Sequence, residues 1–219
     1  MPLSYPLFIA AYALSMVAGI FAALLLFVGW RDLWWRKALA SAKYNLGYVV
    51  LLASLPLISR IESAFTSPEE ATQEVIYTNW IFSISGNAIR ILQDRLDYQI
   101  LVDFSIVVYV WVFTFILYFT PILLLCLDDR VTIRRYSVAM LLNYAVLIPF
   151  YIFFPVTVTG FYADSGLTPL LYINTNWGRV VTSVDPLNND FPSGHVSIVL
   201  TTMLVLGSAG WGRRGYVYF

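Results

Sequence analysis

The residues best suited to chemistry lie together in one short segment, residues 190–197, which reads Asp-Phe-Pro-Ser-Gly-His-Val-Ser. Pro192 is typical of the first turn of a helix, where its missing N–H costs nothing. A helix N-terminus presents unpaired N–H groups and a positive dipole, so we predict that Ser193 and Gly194 bind a phosphate oxyanion there. Gly194 would also let the anion approach the backbone closely.

His195 is the one histidine among the 219 residues, and it directly follows this predicted anion site. An imidazole titrates near neutral pH, so it can give a proton to a leaving oxygen or take one from a nucleophile. Together these residues have the chemistry of a phosphoryl-transfer site. A lone histidine at a membrane interface can equally be a hydrogen-bonded structural residue, and the residues alone leave both interpretations open.

Phe-Pro-Ser-Gly-His at residues 191–195 resembles the second signature motif of the type 2 phosphatidic acid phosphatase superfamily. The resemblance implies a six-span helical bundle that hydrolyses or transfers lipid phosphates or pyrophosphates through a phosphohistidine, without a metal or another cofactor. Carried over by position, Ser193 and Gly194 would bind the phosphate, and His195 would protonate the leaving group.

The chain departs from that family at the first motif, Lys-x6-Arg-Pro, because no Lys or Arg precedes a Pro. Residues 153–156, Phe-Phe-Pro-Val, resemble the inositol phosphorylceramide synthase branch instead, although that branch more often has Leu at the position of Gly194. A phosphate still needs a cation, and Arg179 is the one basic residue in the same loop. We therefore predict that Arg179 binds substrate. A single loop arginine can also simply face solvent or lipid headgroups.

The third family motif, which implies a nucleophilic histidine oriented by an aspartate on the next span, has no counterpart in the 24 residues after His195. Residues 211–219 read as a basic turn and the start of a sixth span. We expect the chain to be a truncated copy of a longer protein, the alternative being a short relative without its nucleophile. Either way, the 219 residues alone should turn over little or no substrate.

The elements that must position these residues are membrane helices. The chain is 59% hydrophobic and 12% charged, whereas an average soluble domain is about 25% charged. Net charge is zero, which argues against nucleic-acid binding, and the single cysteine excludes a disulfide framework. Because a spanning helix needs about 20 apolar residues, we predict an all-α transmembrane bundle over residues 1–219. Its five predicted spans are 6–30, 40–58, 99–127, 136–156 and 192–210.

Residues 76–98 predict an interfacial amphipathic helix or, equally, a helix packed on the bundle. The distribution of basic residues predicts the orientation, because loops rich in Lys and Arg stay in the cytoplasm. With the N-terminus outside, nine of the thirteen basic residues face the cytoplasm. These nine are Arg31, Arg36, Lys37, Lys43, Arg130, Arg134, Arg135, Arg213 and Arg214. The loops 59–98 and 157–191 would then face the extracytoplasmic side.

The sequence therefore favours a membrane lipid phosphatase or phosphotransferase that acts at the extracytoplasmic face. The alternative is a catalytically incomplete membrane protein that binds lipid phosphate or serves as an assembly subunit. A channel or transporter is a poorer interpretation, because no pair of spans shows an inverted repeat. A metal site is not expected either. Although Asp164, Asp185 and Asp190 share the loop with Arg179, their spacing is not that of a metal-binding loop.

Overall fold

The computed structural model describes residues 4–30, 35–62, 68–96, 98–162, 165–173, 175–183 and 187–210. Over these residues the regular elements are helices, and one isolated parallel bridge joins Val156 to Asn189. The predicted all-α class is therefore confirmed for the described part of the chain. In order, the elements are α1 (Tyr5–Phe27), α2 (Trp35–Tyr44), α3 (Leu46–Glu62), α4 (Pro68–Leu96), α5 (Gln99–Ile106), a π-helical segment (Val107–Val112), α6 (Phe113–Cys126), α7 (Arg130–Phe153), a 3-10 turn (Thr159–Phe161), α8 (Leu170–Ile173), α9 (Thr175–Thr182) and α10 (Gly194–Ser208).

Three of the described helices are long and apolar enough to cross a membrane, namely Tyr5–Phe27, Gln99–Cys126 and Arg130–Phe153. A fourth span is present if Trp35–Tyr44 and Leu46–Leu57, which meet at 91°, count as one broken span. These helices are compatible with an integral membrane protein. The predicted number of five spans is not confirmed.

The fifth predicted span, 192–210, is the one that falls short. Its helix, α10, has 15 residues, which at about 1.5 Å per residue cover about 22 Å. A hydrocarbon core is about 30 Å thick, so α10 by itself is shorter than a full span. Residues 211–219, in which a sixth span was expected to begin, lie outside the described residues.

The second predicted span, 40–58, is sharply bent rather than continuous. The break falls at Asn45, between α2 and α3. Its side chain is almost fully buried and is used twice, because Nδ2 donates to the Ser41 carbonyl at 3.0 Å and Oδ1 accepts from Arg134 Nε at 3.0 Å. The polar residue that interrupts the apolar run thus marks the bend.

The third and fourth predicted spans are present, with different details. Proline suggests a kink at Pro121, yet Pro121 lies within α6 and the departure from α-helical geometry is the π-helical segment Val107–Val112. Helix α7, which corresponds to the fourth predicted span, begins at Arg130, six residues before the predicted start at 136.

The predicted helix at 76–98 forms part of the longer α4. Its apolar side chains are largely exposed, which favours contact with a membrane interface over burial in the bundle. Those more than half exposed include Ile76, Trp80, Ile84, Ile91 and Leu92.

The chain forms two compact units. The first comprises the described residues of Met1–Leu55, Trp111–Asn143 and His195–Phe219. Its core includes Phe119, Leu124 and Ile133, and α1 approaches α6 closely. The second comprises the described residues of Pro56–Val110 and Tyr144–Gly194, with Leu147, Tyr151, Val156 and Val181 in its core.

Candidate functional site

The segment that leads into α10 is held by main-chain hydrogen bonds. Within the second unit, Val156 N donates to Asn188 O at 3.0 Å, Val158 N donates to Leu187 O at 2.8 Å, and Asp190 N donates to Val156 O at 3.1 Å. The segment 187–190 therefore lies beside the strand-like stretch 156–158. Two segments that the sequence analysis singled out separately, 153–156 and 190–195, are brought together by this pairing.

Two side chains fasten the same segment near its end. Thr159 Oγ1 donates to Asp190 Oδ2 at 2.8 Å, and the Tyr151 hydroxyl donates to the Pro192 carbonyl at 3.0 Å. Tyr151 is 8% exposed, so its ring is held by packing as well. The chain is thus fixed on both sides of Phe191, immediately before α10 begins.

The stretch 156–158 is in turn tied to α4 through Thr157. Its backbone N donates to Thr78 Oγ1 at 2.9 Å, and its hydroxyl donates to Glu74 Oε1 at 2.5 Å. Thr78 is buried. The support of the candidate site therefore extends through polar contacts from α4 to the residues before Ser193.

Ser193 and Gly194 lie at the start of α10, whereas Pro192, expected in the first turn, lies before the helix. Ser193 is exposed and precedes the helix, and Gly194 is its first residue. A Cβ atom at Gly194 would lie 2.8 Å from the Tyr151 hydroxyl oxygen. The structure thus supplies a packing reason for this glycine, because the Tyr151 hydroxyl fills the space where a side chain would be. Close approach of an anion to Gly194 stays a prediction.

His195 is the second residue of α10 and is half-buried. Within the first unit its ring contacts Phe113, with the ring centroids 4.1 Å apart and the planes inclined at 41°. The buried residues Ile198, Thr202 and Leu206 follow on the same face of the helix. The imidazole therefore packs against an aromatic ring, in the first turn of a helix and on the face of that helix that is buried.

Arg179 lies in the last turn of α9 and is exposed. It belongs to the same compact unit as Ser193 and Gly194. The short helix that carries it packs tightly on the preceding residues, since a Cβ at Gly178 would lie 2.8 Å from the Tyr172 carbonyl oxygen. A cation at a helix C-terminus also stabilises the helix dipole, which gives Arg179 a structural role besides the predicted one.

Sequence reasoning missed Tyr151, which donates to the Pro192 carbonyl, and Phe113, which contacts the His195 ring. Tyr151 had a faint signal, since it lies just before the 153–156 motif and within an apolar helix where a hydroxyl needs a partner. Phe113 had none, because it is one aromatic residue in a span full of them.

No cluster of three or more His, Cys, Asp or Glu residues that could hold a metal ion occurs among the described residues. Asp164 and Asp185 lie outside them. The Asp190 carboxylate accepts the hydrogen bond from Thr159.

No family model, curated protein or solved structure matches the chain. The likeness to the type 2 phosphatidic acid phosphatase superfamily therefore depends on residues 191–195 and 153–156 alone, and membership stays a prediction.

Proposed function

We propose that the protein is a membrane phosphatase or phosphotransferase that handles a lipid phosphate or pyrophosphate at the N-terminus of α10. The observation that carries the proposal is the fastening of residues 187–192. Main-chain pairing with 156–158 and the Tyr151 hydrogen bond hold this segment, and it ends at an exposed Ser193, two positions before His195 in the sequence. A preorganised cradle of this kind favours an anion whose charge develops during reaction.

Each residue has a defined role. The Ser193 hydroxyl and the N–H groups of the first turn bind the phosphoryl oxygens. Arg179 supplies the positive charge. The imidazole of His195 gives its proton to the lipid oxygen as the bond from that oxygen to phosphorus breaks. The positive-inside distribution of Lys and Arg favours the extracytoplasmic side for this chemistry.

The covalent phosphohistidine that the family resemblance implies needs another histidine as nucleophile. These 219 residues contain one, and it is assigned here to proton transfer. The nucleophile would have to come from outside them. This observation favours the second candidate function, in which the 219 residues bind lipid phosphate without turning it over.

Both candidates are tested with phosphatidic acid and the 219-residue chain in detergent micelles. We expect measurable binding and little phosphate release. Ser193→Ala should weaken binding about ten- to hundredfold, since a hydrogen bond to a charged group contributes about 1.5–3 kcal/mol. Ser208→Ala, at the far end of the same helix, is the matched control. For Arg179→Gln, the control is Arg95→Gln, another exposed arginine.

The two functions are separated by phosphate release from phosphatidic acid, measured for the unaltered chain and for His195→Gln. Loss of phosphate release with binding retained supports the enzyme. Equal binding by the Ser193→Ala and Ser208→Ala variants contradicts the cradle in both candidates. Rapid release by the 219-residue chain contradicts the need for an outside nucleophile.

A further inference from the structure

The second unit contains a cavity of about 470 Å³. It lies where α4 turns into α5, and α8 closes it on one side. Next to the cavity, Tyr98 N donates to Leu96 O at 2.7 Å and Leu101 N donates to Tyr98 O at 2.8 Å. The cavity has the size of a small-molecule site, for which about 300–1,000 Å³ is usual. Its apolar walls include Leu92, Leu96, Leu101, Ile106, Leu170 and Leu171.

The chemistry of the walls favours a hydrocarbon ligand. Gln93, one of the polar lining residues, is engaged at both ends, since Nε2 donates to Thr168 O at 2.8 Å and Oε1 accepts from Thr168 N at 3.0 Å. This pair of bonds joins α4 to the loop before α8 beside the cavity, which is open, since Leu92 and Leu96 are 59% and 46% exposed. The polar lining residues are Gln93, Ser105 and Tyr109, of which Gln93 is already paired. An apolar ligand needs no polar partner and fits walls that are mostly leucine and isoleucine.

The position of the cavity indicates which hydrocarbon molecules could reach it. One wall is formed by residues 101–109, which belong to the apolar helix Gln99–Cys126 that is long enough to cross a membrane. The wall lies at the beginning of that helix, and the ends of a helix that spans a bilayer lie near the headgroups. The apolar molecules available at such a position are the chains of membrane lipids.

A cation lies close to the same cavity. Arg90 is exposed and one turn of α4 from Gln93. Its Cδ atom is 3.7 Å from the position of a Cβ on Gly166, in the loop that continues through Thr168 to the lining residues of α8. A guanidinium group at a membrane interface attracts phosphate headgroups.

We propose that this cavity is a lipid-binding site that takes one hydrocarbon chain of a membrane phospholipid, with the phosphate of that lipid at Arg90. The site uses none of Ser193, Gly194 or His195, so it goes beyond the proposed phosphoryl-transfer function and does not depend on it. A lipid bound there contacts α4, α5 and α8 together.

The test uses the 219-residue chain in phosphatidylcholine nanodiscs that contain a small fraction of phosphatidylcholine with a diazirine near the end of one acyl chain. After irradiation and digestion, adducts are mapped by mass spectrometry. We expect labelling of peptides from 89–109 and 170–171 to exceed that of α1 several-fold. Helix α1 is the internal reference because residues such as Leu14 and Leu26 are at least 70% exposed. Equal labelling of both regions overturns the proposal.

Neighbouring residues of α5 provide a matched pair of variants. Leu101 lines the cavity, whereas Ile100 does not and is 78% exposed. Leu101→Trp should fill the cavity and lower its labelling by at least half, and Ile100→Trp should leave the labelling unchanged. Equal effects of the two variants overturn the cavity as the binding site. The labelling pattern of the unaltered chain still decides the question if Leu101→Trp fails to fold.

The proposed contact between the lipid phosphate and Arg90 is tested separately. Arg90→Gln should lower labelling by the phospholipid, whereas Arg95→Gln should not. A diacylglycerol with the same diazirine chain lacks the phosphate and should label less than the phospholipid. Equal labelling by both lipids, unchanged in Arg90→Gln, overturns the phosphate contact. None of these readouts uses phosphate release or binding at Ser193, so the two proposals fail separately.

Discussion

Gly194→Ala is the sharpest perturbation of the candidate site, because the structure shows what the added methyl group would meet. The new Cβ would lie 2.8 Å from the Tyr151 hydroxyl oxygen, a distance that real Cβ atoms essentially never show. The next atoms are ordinary neighbours, Tyr151 Cζ at 3.9 Å and Leu147 Cδ1 at 4.0 Å. The clash is therefore with one oxygen atom, and Tyr151→Phe removes that atom.

The magnitudes follow from these distances. In Gly194→Ala, Tyr151 must shift and weaken its bond to the Pro192 carbonyl, which costs about 0.5–1.5 kcal/mol. Overpacking against a buried ring adds about 1–3 kcal/mol. The better helix propensity of Ala offsets up to about 1 kcal/mol. We expect a net loss of about 0.5–4.5 kcal/mol in the free energy of unfolding. In the Tyr151→Phe background only the helix-propensity gain remains, so the two substitutions should be coupled by about 1.5–4.5 kcal/mol.

The assay is a double-mutant cycle on reversible unfolding in mixed detergent micelles, with the unaltered chain, both single variants and the double variant. Additivity within about 0.5 kcal/mol would show that the close contact at Gly194 does not exist. Phosphatidic acid binding by the same proteins gives a second readout. If the double variant regains stability but not binding, Gly194 also serves the anion. If it regains both, this glycine is needed for packing alone.

Three further outcomes are expected. Thr78→Val removes the acceptor for the backbone N–H of Thr157 and should destabilise the second unit by about 1–3 kcal/mol, whereas Thr78→Ser should retain most of the stability in the same unfolding assay. The hydrogen bond from Arg130 lowers the pKa of Asp128, so this contribution is present above the unfolded-state pKa of about 3.9 and is lost as the pH falls through the lower folded-state value. Unfolding followed from neutral to acid pH should therefore show a shallower acid loss of stability in Asp128→Asn than in the unaltered chain. Gly166 has φ +63°, so Gly166→Ala should lower the free energy of unfolding by about 1–2 kcal/mol. Gly166→Asn should lower it less.

The apolar helices could be predicted from composition, because burial in lipid depends on the sum of many similar side chains. The first span was expected at 6–30 and is found at Tyr5–Phe27. Helix α10 shows the limit of this reasoning. An apolar run at 192–210 predicts a span, but the helix covers only Gly194–Ser208. The backbone just before it is held by the bonds of residues 187–190 to 156–158 and by the Tyr151 bond to Pro192.

Bends were harder to predict because they depend on contacts far apart in sequence. Asn45 breaks the second helix, and its Oδ1 is paired with Arg134, which is 89 positions away. The sequence shows a polar residue in an apolar run and does not show its partner. The π-helical segment Val107–Val112 contains no Gly, Pro or charged residue, so no local signal placed the irregularity there rather than at Pro121.

The candidate site likewise has a part that the sequence predicts and a part that it does not. Residues 190–197 were recognisable because their types suggest a chemistry, whereas the residues that hold them were not. Val156 and Val158 act through backbone N–H and C=O groups, which every non-proline residue possesses. Thr157 connects the same stretch to α4 through a buried threonine and a carboxylate. The segment that leads to Ser193 therefore depends on valines and a threonine that perform no phosphate chemistry. Val156→Pro or Val158→Pro, each of which removes the N–H, or a change of the Thr157 hydroxyl should disturb this segment without touching any group that binds substrate.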